Sequence, residues 1–107
     1  MIEVYDDDEL RDKVKQCAGK LCVITFNSVG CGACKQTTKL LEGLSEQMPD
    51  VTFIKVDVKK ADEFVQKYKI SGVPAFMFLI DGVIAECFQG GNTDYLRKTI
   101  ERLYSQC

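Results

Sequence analysis

Two of the six cysteines in this 107-residue chain stand two residues apart, in Cys31-Gly-Ala-Cys34, a spacing suited to reversible disulfide chemistry. Spacing alone is weak, because six cysteines scattered at random through a chain of this length give roughly 0.3 such pairs. The surroundings strengthen it. An apolar run Leu21–Phe26, a turn Asn27–Gly30 and a helical stretch beginning near Cys31 put the pair at the start of a helix. There the unpaired backbone N–H groups and the positive end of the helix dipole favour a thiolate on the first sulfur. The second sulfur lies a turn further in, shielded, and two intervening residues let it close on the first without distorting the backbone. A low-pKa exposed thiol beside a resolving thiol is the machinery of dithiol–disulfide exchange. Cys31 is therefore the expected nucleophile, Cys34 the resolving thiol, and the two together a redox-active disulfide.

The rest of the composition narrows the alternatives. The chain has no histidine, which removes Cys-His proteases, Ser-His-Asp hydrolases and His-ligated metal sites. A formal net charge of -2 argues against nucleic acid or an anionic membrane as partner. The acidic run Asp6–Glu9 reads as the solvated start of a helix. No basic segment followed by an apolar run opens the sequence, and no apolar stretch approaches membrane-spanning length. The expectation is a cytoplasmic, reducing location, where six cysteines do not mean three structural disulfides. Cys17 and Cys22 fall at apolar positions of a helix and a strand and read as small buried hydrophobes. Cys87 falls in the last strand, buried or at an edge. Cys107 is expected to be exposed, and it offers an otherwise monomeric chain a route to a disulfide-linked dimer. Cys17, Cys22, Cys31 and Cys34 could formally supply four thiolates to zinc or an iron–sulfur cluster. Against that metal-binding module, Cys22 lies inside the apolar run Leu21–Phe26, and no metal is expected.

Positioning the pair takes an alternation of strands and helices. Ile2–Tyr5 reads as a short edge strand, and Leu10, Val14 and Cys17 share a helical face. Leu21–Phe26 is apolar and β-branched throughout, as a strand buried on both faces must be. The helix from Cys31 runs through Leu40, Leu41 and Leu44 to about Met48, before Pro49. Val51–Val58 is a second alternating strand, and Ala61, Phe64, Val65 and Tyr68 line one helical face. Ala75–Ile80 is another buried strand, joined through the hairpin signal Asp81-Gly82 to Val83–Phe88. Gly90-Gly91 ends that strand, and Asn92 or Thr93 can cap a last helix bearing Leu96, Ile100 and Leu103. With no repeat or linker, residues 1–107 read as a single α/β domain. Its order is βαβαβαββα, a central mixed sheet with helices on both faces. Sites in such sheets lie beyond the carboxyl ends of strands, which is where Cys31 falls.

Phe26-Asn-Ser-Val-Gly-Cys-Gly-Ala-Cys-Lys35, Lys55-Val-Asp-Val58, Ser71-Gly-Val-Pro-Ala75, Asp81-Gly82 and Gly90, in that order, resemble the thioredoxin family over nearly the whole chain. The resemblance implies the thioredoxin fold and reduction of disulfides in client proteins with no bound cofactor. Electrons would come from NADPH through a separate thioredoxin reductase, since no nucleotide-binding glycine fingerprint is present. It also implies a cis Val73–Pro74 peptide beside the sulfurs, with Val73 pairing its backbone to an extended substrate. Gly30, Gly90 and Gly91 would flank the substrate, and Lys55 would tune the pair's acidity. The chain departs from the family pattern at four positions. Gly30 stands where the family has Trp, Ala33 and Lys39 where it has Pro, and Thr25 where it has a buried Asp that assists the second cysteine. Gly90-Gly91 has two readings: relief of crowding near Cys31, or backbone N–H groups holding a carboxylate. Glutaredoxins use a Gly-Gly and a Val-Pro in the second way for glutathione, although residues 75–89 and the leading strand–helix unit fit thioredoxin. A glutathione-linked oxidoreductase and a redox-inactive interaction module on the same fold are the alternatives.

Overall fold

Every strand that the apolar runs predict forms in the computed structural model, which describes all residues, Met1–Cys107. The order is β1 (Ile2–Val4), α1 (Asp7–Lys15), β2 (Leu21–Asn27), α2 (Gly32–Gln47), β3 (Thr52–Asp57), α3 (Asp62–Lys67), β4 (Ala75–Ile80), β5 (Val83–Gln89) and α4 (Thr93–Tyr104). The five strands lie in the order β1-β3-β2-β4-β5. The first three are mutually parallel, and β4 and β5 turn the far side of the sheet antiparallel.

Central β2 explains its own composition. Leu21 and Val23 face Leu41 and Leu44 of α2 and Leu96, Ile100 and Leu103 of α4. Cys22, Ile24 and Phe26 face the other way, onto Leu10 of α1 and Ala61 and Phe64 at α3. A strand covered on both faces has no position where a charge is cheap, so Leu21 through Phe26 are all buried. No helix is long and apolar enough to cross a membrane.

Helix ends are set by polar side chains. Asp6 caps α1, its Oδ1 accepting the Glu9 N–H at 2.8 Å. Asp7 is not simply solvated, because its carboxylate accepts the Glu63 and Phe64 N–H groups at 3.2 and 3.1 Å and so ties α1 to the start of α3. Asn92 caps α4 through the Tyr95 N–H at 3.0 Å. Cys17 departs from expectation: it lies past the α1 cap Gln16, in the following turn, although still buried. Its periodicity persists because that turn keeps helix-like bonds, Gln16 N–H to Asp12 and Cys17 N–H to Val14. Asp81 and Gly82 form the β4–β5 hairpin with φ of 54° and 77°, the left-handed pair that a two-residue hairpin turn requires. Asp81 Oδ1 also accepts the Gly19 N–H at 2.7 Å, fastening the α1–β2 turn to that hairpin.

Candidate active site

β2 leads into a turn in which Gly30 takes φ of 81°, a conformation suited to glycine, and the chain then enters α2. Cys31 is the N-cap of that helix, and its Sγ accepts the Cys34 N–H at 3.1 Å. Cysteine thus holds the position usually given to Ser, Thr, Asp or Asn, where the helix's unpaired donors and dipole favour negative charge. Cys31 is half-buried, whereas Cys34 is 5% exposed. The two are disulfide-bonded with Cα atoms 5.3 Å apart, inside the ordinary range for the bond. Of the two sulfur-bearing residues, Cys31 is thus the one more open to solvent.

The Val73–Pro74 peptide is cis. Pro74 is buried and stands immediately before β4, and its carbonyl accepts the Gly90 N–H at 2.8 Å. Neither the N–H nor the carbonyl of Val73 takes part in a hydrogen bond within the chain. A Cβ on Gly91 would stand 3.0 Å from the Ala33 Cβ, so the loop before α4 packs directly on the motif. These contacts bear on the two readings of Gly90-Gly91. Crowding against α2 accounts for Gly91, and the Gly90 N–H is already used by Pro74. The carboxylate reading, and with it the glutaredoxin-like alternative, loses a donor it required.

Toward the carboxyl end of β2 lies an uncharged network. Thr25 is fully buried and donates from Oγ1 to Asn27 Oδ1 at 3.0 Å, and Asn27 Nδ2 donates to Thr38 Oγ1 at 3.1 Å. Glu3, Lys55 and Thr25 sit in register across β1, β3 and β2. Lys55 Nζ is 4.0 Å from Glu3 Oε2, so its charge is met on the neighbouring strand. An open cleft of about 420 Å³ adjoins Gly30 and both sulfurs and includes Asn27, Lys35 and Lys55 in its wall.

The remaining cysteines occupy other places. Cys17 and Cys22 adjoin the amino end of β2, whereas Cys31 and Cys34 follow its carboxyl end, so the four-thiolate arrangement is not assembled. Correspondingly, no group of three or more His, Cys, Asp or Glu side chains is disposed to hold a metal ion. Burial, and then Cys17 beside it, pushes the Cys22 thiol far above its ordinary value. Cys87 is exposed on edge strand β5, its thiol also pushed up by burial and then by Glu86. Cys107 is exposed as expected.

Two features have no counterpart in the sequence reading. One is the Asn27 link between Thr25 and Thr38. The other is Gln89, whose Oε1 accepts both the N–H and the Oγ–H of Ser71, at 3.3 and 3.2 Å. Only the nearness of Gln89 to Gly90 could have drawn attention to it, since strand alternation leaves it an ordinary exposed position.

The profile of the Thioredoxin family matches residues 1–102. The chain is 33% identical over 103 residues to Thioredoxin H-type of Oryza sativa subsp. indica, across 94% of this chain and 84% of that protein. Among solved structures, Fasciola hepatica thioredoxin is similar with a TM-score of 0.88 at 33% identity, covering 95% of this chain and 98% of that one. The reduced thioredoxin pre-protein of Schistosoma mansoni is similar with a TM-score of 0.87 at 34% identity, covering 94% and 95%.

Proposed function

The chain belongs to the thioredoxin family and is a thiol–disulfide oxidoreductase that reduces protein disulfides, and on that premise we propose that Cys31 is its attacking sulfur and Cys34 its resolving one. The observation that carries the assignment is the Cys31 sulfur at the helix cap, accepting the Cys34 N–H, while Cys34 itself is buried. In the reduced form the Cys31 thiolate attacks one sulfur of a client disulfide. A Cys31–client disulfide forms, and the other client sulfur leaves as a thiolate. Cys34 then loses its proton and attacks the Cys31 sulfur, releasing the second client thiolate. Two electrons have passed to the client, and the chain is left with the Cys31–Cys34 disulfide.

Around that exchange, the free backbone N–H and carbonyl of Val73 suit pairing with an extended client segment, with Pro74 setting the loop beside the sulfurs. Gly30, Gly90 and Gly91 form a rim of low relief on which a client can close. Lys55 acts on the pair's acidity from the cleft wall. The chain needs no bound cofactor, and its electrons come from NADPH through a separate thioredoxin reductase. It works as a single-domain monomer in the cytoplasm, and Cys107 offers a disulfide-linked dimer only under oxidation.

Insulin reduction tests the cycle, first with dithiothreitol as donor and then with thioredoxin reductase and NADPH. Turnover is expected with both. No turnover with dithiothreitol would refute the proposed cycle, and turnover with NADPH only through glutathione and glutathione reductase would reassign the donor.

A further inference from the structure

We propose that Gln89 is a positioning residue for client docking, its carboxamide oxygen fixing the Ser71–Gly72 turn so that the free backbone of Val73 is presented to an extended client. The proposal rests on the reading that clients pair with Val73.

Residues on either side of Val73 are held, and Val73 is not. On its carboxyl side the main chain is fixed by β5: Gln89 pairs with Ala75 in the sheet, and the Gly90 N–H bonds the Pro74 carbonyl at 2.8 Å. Before it, the Ile70 N–H bonds the Val65 carbonyl at 3.0 Å, which fastens the end of the α3 segment. Ser71 and Gly72 lie between these anchors. Their hydrogen bonds to the rest of the chain are the two that converge on Gln89 Oε1, from the Ser71 N–H at 3.3 Å and Oγ–H at 3.2 Å. Gly72 belongs to the same arrangement, since a Cβ there would stand 3.3 Å from that oxygen and press on it. β5 thus fixes one side of Val73 with its main chain and the other with a single side chain.

A segment ordered before a client arrives loses less backbone freedom when the client pairs with it. Without the carboxamide, Ser71 and Gly72 must be ordered by the client itself, so binding weakens while the bound complex reacts as before. Ser71, Gly72 and Gln89 are all exposed, so substitution at 89 leaves the core intact.

The decisive comparison is Gln89→Leu, which keeps most of the bulk of the side chain and removes the acceptor, against Gln89→Glu, which keeps an acceptor oxygen. The Leu variant is expected to raise KM for insulin roughly threefold at unchanged kcat, the scale of one exposed hydrogen bond. Its KM for hydroxyethyl disulfide, which offers no backbone to pair, stays put, so the insulin-to-small-disulfide ratio of KM rises. The Glu variant stays near the parent on both. Equal shifts in Leu and Glu, or none in either, overturn the role of the oxygen. Amide exchange separates this failure from that of the Val73 reading. In a Cys34→Ser mixed disulfide with a client peptide, the Val73 N–H is expected to be protected; its remaining unprotected would remove the reading and the proposal together. With Val73 protected, an unchanged Ser71 exchange rate in Gln89→Leu would remove the proposal alone.

Discussion

The chain carries two pairs of neighbouring cysteines, one at each end of β2, and they differ in everything but the element. Cys31 stands at the amino end of α2 and its sulfur accepts an N–H from that helix. Cys17 stands just past the carboxyl end of α1 and its sulfur donates to the Lys13 carbonyl at 3.0 Å, one of the carbonyls that a helix end leaves without a partner. One helix end offers donors and suits a thiolate, while the other offers acceptors and suits a thiol. Exposure follows the same division: Cys31 is half-open to solvent, while Cys17 and Cys22 are 3% and 1% exposed. Reactivity at a sulfur is thus decided by which end of a helix meets it and whether anything can reach it. Two cysteines being close is not enough.

The largest effect comes from removing the reactive pair. Cys31→Ser is expected to drop insulin reduction to the uncatalysed rate, and Cys34→Ser to accumulate mixed disulfides, whereas Cys17→Ala changes kcat less than about twofold. Alkylation of the reduced native protein followed by peptide mapping checks the order. Faster labelling of Cys34 than of Cys31 reverses the roles, and labelling of Cys17 or Cys22 without denaturant erases the contrast between the pairs.

Next in size is a base supplied to Cys34. Burial raises a thiol's pKa and leaves little thiolate near neutral pH, while Thr25 cannot take a proton. Thr25→Asp is expected to speed resolution of a Cys31 mixed disulfide by up to about a hundredfold at pH 7, the gain shrinking in alkali. It should also lower stability by about 1–3 kcal/mol, because the site is fully buried. Asn27 must adapt as well: it now presents Oδ1 to residue 25, so its amide turns over to donate to a carboxylate, and the bond to Thr38 reverses, with the Thr38 hydroxyl donating to Asn27 Oδ1. Rapid mixing across pH with urea melts alongside reads both halves. Resolution no faster at pH 7 would mean that Cys34 already has a sufficient proton acceptor.

The buried pair has a signature in alkali. Folding raises the Cys22 pKa above its usual 9.0, first through burial, so its contribution to stability is complete below that value. Above it the unfolded chain releases a proton that the native chain keeps, and stability falls by about 1.4 kcal/mol per pH unit. Cys22→Ala is expected to remove one proton's worth of this slope in urea melts of the reduced protein between pH 8 and 10.5. Identical slopes would show Cys22 titrating as freely as an exposed thiol.

Ala33→Pro is the smallest expected change. Ala33 supplies one of the unpaired N–H groups at the start of α2, and proline removes it while stiffening the turn. With one donor fewer for a thiolate the pair becomes more reducing, by about 30 mV or less, a tenfold change in exchange equilibrium at most. Equilibration in glutathione buffers measures it, and an unchanged or more oxidising potential would count against the donor's role.

Most of the fold was legible because hydrophobic patterning repeats within each element. The continuous apolarity of Leu21–Phe26 announced a strand covered on both sides, and Asp81-Gly82 announced its turn. The redox pair was legible for a similar local reason, since turn, cap and second cysteine follow one another in the chain. What escaped depends on tertiary contact. Cys17 is the local exception: it kept helical spacing two residues past the end of α1, because a turn bonded like a helix extends the pattern without the element. Asp7 read as a solvated charge, yet its partners are the backbone of α3, more than fifty residues on. Gln89 carried no signal, because an exposed position at a strand end looks alike whether or not it reaches a loop.

The contact between Ala33 and Gly91 bears on how this motif could change by mutation. From the sequence alone its middle residues look like a cassette, free to be exchanged between two fixed cysteines. Here residue 33 touches residue 91, with only 3.0 Å between the Ala33 Cβ and a Cβ built at 91. A bulkier residue at 33 is tolerable only while 91 stays glycine, and any side chain at 91 presses on whatever 33 has become. The two positions form an epistatic pair across 58 residues of sequence, so a transplanted motif inherits its fit from a loop that was not transplanted with it.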